Sequence, residues 1–185
     1  MFNFTQKNCK KNELFVLLYF VQYIHSITFE FFNSILIGNR GIICETTYIN
    51  IDLILEILMF HTPFRFNSLR DIVTYDRPDY FLRYVVIYVL RNVERDFDIR
   101  VRFSAKSQTT IIPTITSLLS SGQWAEREVF DFFGIKFFGN TDMRKILSDY
   151  SFWGFAGRKD FPLVGIHSFV YSLNFLRVTK IRGNL

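Results

Sequence analysis

Residues 84–90, with the sequence YVVIYVL, constrain the fold of this chain more than any other segment. The run is apolar at every position and rich in β-branched residues and tyrosine, which is typical of a strand covered on both faces. Residues 98–103, DIRVRF, instead alternate, with apolar side chains on one face and Arg100 and Arg102 on the other. That alternation predicts one buried face and one face that meets solvent or a partner. Together the two segments predict a sheet with residues 84–90 in its middle.

Further elements are predicted on the N-terminal side of these strands. The apolar spacing and the turn chemistry predict helices at 13–25 and 51–60, and strands at 27–37, 41–49 and 67–75. The turn residues at 38–41 favour a hairpin between the first two strands, and Asn50 is the expected N-cap of the second helix. This order, without a glycine-rich linker or an internal repeat, predicts an α+β fold: a single layer sandwich of a mixed sheet with helices.

The last third of the chain changes character at residue 134. Residues 107–121 are polar and β-branched and are interrupted by Pro113, so we expect a connecting loop. A helix is predicted over 123–133, with Ser120 and Gln123 spaced for a capping box and Gly134 for a left-handed end. Beyond Ile135 the periodicity is lost. We therefore expect an α+β domain over residues 1–134 and an extended C-terminal interface arm over residues 135–185, which needs another surface to become ordered.

Composition indicates a folded protein with an excess of aromatic residues. At 49% hydrophobic and 21% charged residues, the 185-residue chain has apolar material for one sizeable core and too much for disorder. Its 23 Phe admit two explanations, codon drift in an AT-rich organellar genome or a large aromatic surface buried against partners. The net charge of +5 is dispersed over the last two-thirds of the chain, which favours a mixed-charge interface over a polyanion groove.

Several kinds of site lack the residues they need. Cys9 and Cys44 are far apart and show no CxxC spacing, so no disulfide framework or cysteine-ligated iron–sulfur cluster is predicted. His25, His61 and His167 are scattered, which gives no metal-ligand pattern. The sequence contains no GxGxxG, Walker-type, GxSxG or HExxH motif, and nucleotide binding and the familiar hydrolytic mechanisms therefore lack support.

The N-terminal segment bears on location. The longest apolar run, residues 14–29, falls short of the roughly 20 residues that a membrane-spanning helix needs. The N-terminus has neither the Arg-rich amphipathic pattern of a transit peptide nor the small-residue cleavage site of a secretory signal. We expect a soluble or peripheral protein that is made in the compartment in which it works.

The densest charged cluster, Glu126, Arg127, Glu128 and Asp131, lies in the helix predicted over 123–133. Arg127 and Asp131 are four residues apart and can pair on one helix face. Glu128 and Asp131, three apart, have the spacing of paired carboxylates for acid/base work, although no nucleophile, metal ligand or phosphate loop accompanies them. Structural or interface ion pairing is the favoured interpretation, and an acid/base enzyme is the alternative.

Two further charged clusters lie on the C-terminal arm beside aromatic residues. They comprise Asp142, Arg144, Lys145 and Asp149, and then Arg158, Lys159 and Asp160. The simplest interpretation is solvated charge on a loop. Arginine among aromatic residues such as Phe152, Trp153, Phe155 and Phe161 is also the composition of interface hot spots, which predicts anchors for a partner.

These segments resemble a known family. The residues that match are EREVFDFFGI at 126–135, Phe137, Asp142, RKIL at 144–147, Asp149, Tyr150, Phe152, Gly154, RKDFPL at 158–163 and Gly165. Upstream, LRDIVTYDRP at 69–78 and IPTIT at 112–116 also fit. Over residues 60–165 the pattern is similar to the 30-kilodalton subunit family of respiratory complex I, whose mitochondrial members are called NADH dehydrogenase subunit 9.

The resemblance implies a non-catalytic core subunit of the peripheral arm of NADH:ubiquinone oxidoreductase, on the matrix side of the mitochondrial inner membrane and encoded in the organelle. It implies that the C-terminal arm packs along the 49-kilodalton subunit beside the quinone-reducing module, and that FMN and iron–sulfur clusters belong to neighbouring subunits. The motif residues would then serve as interface and folding anchors. They are Glu126, Arg127, Glu128, Asp131, Gly134, Asp142, Arg144, Lys145, Asp149, Tyr150, Arg158, Lys159, Asp160 and Pro162.

The sequence departs from the family pattern at three places. Asn140 and Thr141 stand where the family usually has His-Pro, and residues 155–157 replace another common His-Pro stretch. After Gly165 a different tail begins, so the path of the C-terminal arm is expected to differ locally.

The alternative from another class of function is a single-stranded nucleic-acid-binding module. It would use Arg100, Arg102 and nearby aromatic residues on an exposed sheet face.

Overall fold

The computed structural model describes residues 21–23, 26, 31–38, 41–62, 64–95, 97–106, 110–163 and 165–182, and contains a five-stranded sheet. Its strands are β1 (Phe32–Gly38), β2 (Gly41–Thr46), β3 (Ser68–Asp76), β4 (Tyr84–Asn92) and β5 (Phe97–Ala105). They lie in the order β1-β2-β5-β4-β3, with β2 and β5 parallel and the other neighbours antiparallel. The sheet is therefore mixed, as predicted.

Two α-helices have both ends among the described residues. Helix α1 (Ile51–Phe60) follows a 3-10 turn, Tyr48–Asn50, and buries Ile51, Ile54, Leu55 and Leu58. Helix α2 (Gly122–Phe133) packs against β3. The predicted α+β fold is thus confirmed, and α1 has the bounds that the sequence predicts. Asn50 is the N-cap of α1, as predicted, although its side chain makes no cap hydrogen bond. The capping box of Ser120 and Gln123 is wrong, because Ser121 is the N-cap of α2 and makes no side-chain cap hydrogen bond.

The hydrophobic core lies on one face of the sheet. Ile99, Val101 and Phe103 of β5 are at most 1% exposed and join apolar residues of β4, α1 and α2 in one cluster. The alternation predicted for β5 is therefore observed. Strand β4 lies between β5 and β3, so the position of residues 84–90 inside the sheet is confirmed. On the face of β4 opposite the core, Val85 is 0% exposed, whereas Ile87 and Val89 are half-buried.

The C-terminal segment contains more regular structure than its sequence predicts. Residues 107–121, expected to be a loop, include β6 (Ile112–Pro113), which pairs in parallel with β7 (Phe137–Phe138) beyond α2. Residues 135–163, which we call the proximal arm, then run over the domain. The segment ends in an antiparallel pair, β8 (His167–Ser172) and β9 (Arg177–Arg182), which we call the terminal hairpin.

Some predicted elements fall outside the described residues. Residues 21–23 are helical, within the helix predicted at 13–25, and the rest of that prediction lies outside the described residues. The strand predicted at 27–37 is described only from Phe32 as β1. The strand predicted at 41–49 ends at Thr46. The division into domains at residue 134 stays a prediction.

A polar atom inside the core offers a test of the packing. Tyr88 is 0% exposed, its ring stacks on that of Phe103 at 5.7 Å, and its hydroxyl bonds to none of the described residues. We expect Tyr88→Phe to leave the free energy of unfolding unchanged or to raise it by about 1 kcal/mol, because the ring remains and a buried unsatisfied hydroxyl is removed. Urea denaturation measures the change.

Leu90→Ala on the same strand is the control, since it removes buried methyl groups and should lower the free energy of unfolding by about 2–5 kcal/mol. A loss of more than about 1.5 kcal/mol in Tyr88→Phe would show that the hydroxyl has a stabilising partner.

Candidate functional site

Helix α2 presents charged side chains to the protein interior. Glu126 and Asp131 are 0% exposed and Arg127 is 8% exposed. Taking a charged group out of water is costly unless hydrogen bonds and opposite charges replace the lost hydration. The partners of these three residues therefore determine how the neighbouring chain must lie.

Glu126 connects α2 to the segments on both sides of it in sequence. Its Oε1 accepts the Ile115 N–H at 2.7 Å, and its Oε2 accepts the Thr114 hydroxyl at 2.7 Å and the Asn140 side-chain amide at 2.8 Å. Burial raises the pKa of Glu126, and these hydrogen bonds oppose that rise. Asn140, one of the departures from the family pattern, thus has a specific role, because its Oδ1 also accepts the Asp142 N–H at 3.0 Å.

Asp131 holds the middle of the proximal arm. Its Oδ2 accepts the backbone N–H groups of Ile146, Leu147 and Ser148 at 3.2, 2.9 and 2.8 Å, and its Oδ1 accepts the Ser148 hydroxyl. Burial alone would raise the pKa of Asp131, but the hydrogen bonds from Ser148, Leu147 and Ile146 together hold it below its usual value. The carboxylate therefore fixes three consecutive arm residues to α2.

Arg127 contacts the same stretch of the arm. Its Nε donates to the Arg144 carbonyl oxygen at 3.1 Å, and its Nη1 lies 3.6 Å from Asp142 Oδ2. Arg144 in turn makes a two-pronged ion pair with Asp142, at 2.8 Å for both bonds. The predicted pairing of Arg127 with Asp131 is wrong, because the structure directs the two side chains to different arm residues. Burial explains why Arg127 and Asp131 bond to the arm and not to each other. Each buried charge needs several hydrogen-bond partners, and the surface of one helix supplies too few.

The predicted carboxylate pair of Glu128 and Asp131 does not share one site. Glu128 is exposed, whereas both oxygens of Asp131 are occupied by the proximal arm. The two groups therefore have the unlike environments of a surface charge and a buried structural charge.

A third buried carboxylate, Asp76 at the end of β3, holds the far end of the proximal arm. The guanidinium of Arg83 donates to both of its oxygens at 2.6 Å, and the Lys159 N–H donates to Oδ2 at 2.9 Å. Arg83 also pairs with Asp160 at 2.9 Å. The hydrogen bonds from Arg83, followed by that from Lys159, hold the pKa of Asp76 below its usual range. The sequence analysis placed Asp76 within the motif at 69–78 without giving it a partner, and it did not single out Arg83. The sequence signal for this ion pair was an aspartate and an arginine that are seven residues apart and flank one hairpin turn.

Arg158 closes the C-terminal end of α2. Its Nε donates to the Phe133 carbonyl oxygen at 2.8 Å, and its guanidinium lies 4.4 Å from the centre of the Phe155 ring. A cation at this end of a helix is also favoured by the helix dipole. Gly134 has φ +77°, and its N–H donates to the Phe130 carbonyl oxygen, which confirms the left-handed helix end. A Cβ on Gly134 would lie 2.6 Å from Phe155 and 2.7 Å from Arg158.

The other predicted anchors lie on the proximal arm itself. Lys145 donates to the Phe152 carbonyl oxygen at 2.7 Å, and Asp149 accepts the Ser151 hydroxyl at 2.8 Å. The Pro162 carbonyl oxygen accepts the Gly165 N–H at 2.9 Å, whereas Tyr150 is 76% exposed. The arm is therefore ordered by bonds from within the chain, and aromatic and aliphatic residues remain on its outer side: Leu147, Tyr150, Trp153 and Leu163.

The chemistry available elsewhere in the described part of the chain is limited. No group of three His, Cys, Asp or Glu suited to a metal ion occurs among the described residues, and none of their helices is long and apolar enough to cross a membrane. Arg102, invoked for nucleic-acid binding, donates to Glu45 at 2.9 Å, so its side of the sheet is of mixed charge.

Comparison with known proteins shows to which family this chain belongs. The family model described as respiratory-chain NADH dehydrogenase, 30-kilodalton subunit, matches residues 47–167, about two-thirds of the chain. The chain belongs to this family. The match includes Asp76, Glu126 and Asp131 together with the whole proximal arm, so the predicted resemblance is confirmed.

The names of curated relatives agree with this family assignment. NADH-ubiquinone oxidoreductase subunit 9 of Reclinomonas americana is 40% identical over 116 residues, covering 63% of this chain and 56% of the relative. A subunit of the NADH-quinone oxidoreductase of Erythrobacter litoralis is 41% identical over 113 residues, covering 61% of this chain and 45% of the relative. The chain spans about half the length of these curated relatives.

A solved structure shares the fold of this family member. A chain in the structure of the membrane-bound sulfane sulfur reductase, an archaeal respiratory membrane complex, superimposes with a TM-score of 0.69. The match covers 84% of this chain and 88% of that chain at 24% sequence identity. At that identity the likeness concerns the fold.

The buried Asp131 gives a pH-dependent prediction. Asp131→Asn should lower the free energy of unfolding by about 1–3 kcal/mol at neutral pH, because an amide brings donors of its own towards N–H groups that need acceptors. The pKa of Asp131 is lower in the folded state than in the unfolded state. Its contribution is therefore present above the unfolded value of about 4 and is lost as the pH falls below it. Denaturation at several pH values should show a shallower acid-side decline in Asp131→Asn.

Glu128→Gln is the matched control, since Glu128 is an exposed carboxylate on the same helix and should change stability by less than about 0.5 kcal/mol. Equal effects of the two substitutions would contradict the anchoring role of Asp131.

The close packing at Gly134 gives a second prediction for the site. Gly134→Ala should lower the free energy of unfolding by about 1–3 kcal/mol, because φ +77° disfavours a side chain and the new Cβ would overlap Phe155 and Arg158. Gly134→Asn separates the two causes, since asparagine tolerates a left-handed backbone. If Gly134→Asn unfolds at the same urea concentration as the unchanged protein, the close contact does not limit this position.

Proposed function

We propose that this chain is a structural subunit of the peripheral arm of a proton-pumping NADH:ubiquinone oxidoreductase. There it supports the assembly and stability of the quinone-reducing module beside the 49-kilodalton subunit. Its membership of the 30-kilodalton subunit family and the names of its curated relatives support the proposal. The chain takes part in the activity of the complex without performing chemistry of its own.

One observation in particular supports a structural role. The buried charges of α2 and β3 are taken up by internal bonds to the proximal arm, and the outer side of that arm presents large apolar groups such as Trp153, 75% exposed, and Tyr150. Exposed aromatic side chains held on an ordered segment are suited to burial against another protein, because little conformational entropy is lost on binding. We assign this outer side to the contact with the 49-kilodalton subunit and neighbouring iron–sulfur subunits.

The cofactors of the complex are placed in those partner subunits. A cysteine-ligated iron–sulfur cluster takes several thiolates, whereas Cys44 is an isolated thiol in the hydrophobic core, where burial raises its pKa. FMN and the clusters are therefore proposed to be bound by the neighbours.

The proposed location is the matrix side of the mitochondrial inner membrane, where the chain is peripheral. The likeness to NADH-ubiquinone oxidoreductase subunit 9 of Reclinomonas americana supports a mitochondrial setting. The 23 Phe, which are in keeping with an AT-rich organellar genome, support synthesis within the organelle.

The proposal is tested by separating assembly from turnover. Arg127→Ala and Asp160→Ala each remove a contact that orders the proximal arm. We expect each to lower the amount of assembled complex on a native gel about two- to fivefold, since modest destabilisation changes abundance several-fold. NADH oxidation per assembled complex should stay unchanged.

Lys136→Ala, which truncates an exposed side chain between α2 and β7, is the matched control and should alter neither quantity. A fall in turnover per complex at constant assembly would contradict the structural role. A chain that migrates only as free monomer would overturn membership of the complex itself.

A further inference from the structure

The terminal hairpin lies almost entirely beyond the residues that match the family model. The family match ends at residue 167, and β8 begins at that residue. Strands β8 and β9 pair over six residues each, from His167 opposite Arg182 to Ser172 opposite Arg177. An isolated two-stranded hairpin is marginally stable in water, so this one needs a surface to pack against.

The hairpin leaves its large apolar side chains unburied. Phe169, Tyr171, Leu173, Phe175, Leu176 and Val178 are 54–79% exposed, and they lie on the strands and at the tip. An exposed apolar cluster of this kind marks an interaction surface. The tip, residues 173–176, contains Asn174, a usual turn residue, together with the exposed Leu173, Phe175 and Leu176. Leu176 has φ +48°, a left-handed conformation that glycine or asparagine adopts more readily, so a leucine is not favoured there by turn chemistry.

The charge of this segment has one sign. The sequence contains no Asp or Glu after Asp160, and the hairpin contributes Arg177, Lys180 and Arg182 to a chain whose net charge is +5. The ion pairs between described residues include neither Arg177 nor Lys180. Lys180 nevertheless lies near Asp149 of the proximal arm, whose pKa is held below its usual value chiefly by the hydrogen bond from Ser151 and to a smaller extent by the Lys180 charge. Arg177 instead lies over the Phe175 ring at 5.4 Å, so a cation and an aromatic group are presented together.

A groove joins the hairpin to the proximal arm. Its volume is about 120 Å³, and Trp153 and Phe152 of the arm line it together with Phe169, His167 and Lys180 of the hairpin and Asp149. The hairpin surface is therefore continuous with the outer side of the arm, which is the surface assigned above to neighbouring subunits.

We infer that the terminal hairpin is a docking element for an acidic surface of a neighbouring protein subunit, whose carboxylates meet Arg177 and Lys180 around an apolar contact at Phe169, Tyr171 and the tip. This inference rests on the proposed function. It adds a contact outside the matched residues 47–167 to the interface proposed for the proximal arm.

Two other occupants fit less well. A second copy of this chain would bring three like charges against three, which opposes association. An anionic membrane would satisfy the charges, but each strand of this two-stranded sheet has an outer edge of backbone N–H and C=O groups. A protein can offer hydrogen bonds to those edges, whereas the hydrocarbon of a bilayer cannot.

The test uses the native assembly purified from cells that make this chain. A zero-length carbodiimide joins a lysine amine to a carboxylate in direct contact, and mass spectrometry identifies both residues. We expect Lys180 to be joined to an Asp or Glu of another subunit. Lys180 joined only to Asp149 of its own chain, or to nothing, would overturn the inference while leaving the proposed function intact if the chain is still present in the complex.

Variants give a second measurement. The double variant Arg177→Glu and Lys180→Glu should lower the yield of complex that retains this chain at moderate salt by about tenfold, because attraction to carboxylates becomes repulsion. The matched control Lys136→Glu reverses an exposed charge that is not part of the hairpin, and it should have no effect. Equal retention of the double variant and the control would overturn the inference. Two further outcomes would overturn it if no contact to another subunit is found. One is binding of the purified chain to vesicles containing cardiolipin that the double variant abolishes. The other is charge-dependent dimerisation of the chain.

Discussion

The burial of the Asp131 carboxylate determines how the C-terminal half of this protein is arranged. A charged group on the inner side of α2 is stable only if donors reach it, and the donors come from Ile146, Leu147 and Ser148, fifteen to seventeen residues further along the chain. Glu126 and Asp76 impose the same requirement at two other points. The proximal arm lacks the periodic apolar residues that normally pack a segment onto a domain. Hydrogen bonds to three buried carboxylates fix it instead.

The sequence predicts those features of the fold that depend on local pattern. The apolar spacing of residues 51–60 matches α1, and the alternation in residues 98–103 matches the buried and half-buried faces of β5. The pairing of β6 with β7 could not be predicted in this way. Each has two residues, and neither forms without a partner on the other side of α2. The apolar residues 84–90 correctly predict an interior strand, but the extent to which its second face is covered depends on the packing of other segments and is not a local property.

The candidate site shows the same limit at the level of side chains. The sequence pointed to Glu126, Arg127 and Asp131, because charged residues in an aromatic helix stand out and match a family pattern. It assigned Arg127 and Asp131 to each other, since i to i+4 spacing is the distance that a helix alone supplies. The observed partners lie on a segment without periodicity. Asp76 and Arg83 were missed because their partners on the arm are remote in sequence, Lys159 being 83 positions beyond Asp76 and Asp160 being 77 beyond Arg83.

The link between Asp76 and Lys159 has a consequence for synthesis of the protein. The two residues are separated by 83 positions, so the ribosome finishes β3 long before the residue that completes its terminal carboxylate. Until then Arg83 is the partner available to Asp76. Asp131 likewise lacks the backbone N–H groups of residues 146–148 until these have been made. A partly made chain that ends before residue 146 therefore lacks the backbone N–H donors that the proximal arm supplies to Asp131 and Asp76. These contacts, which join α2 and β3 to the arm, can form only after residues 146–159 have been made.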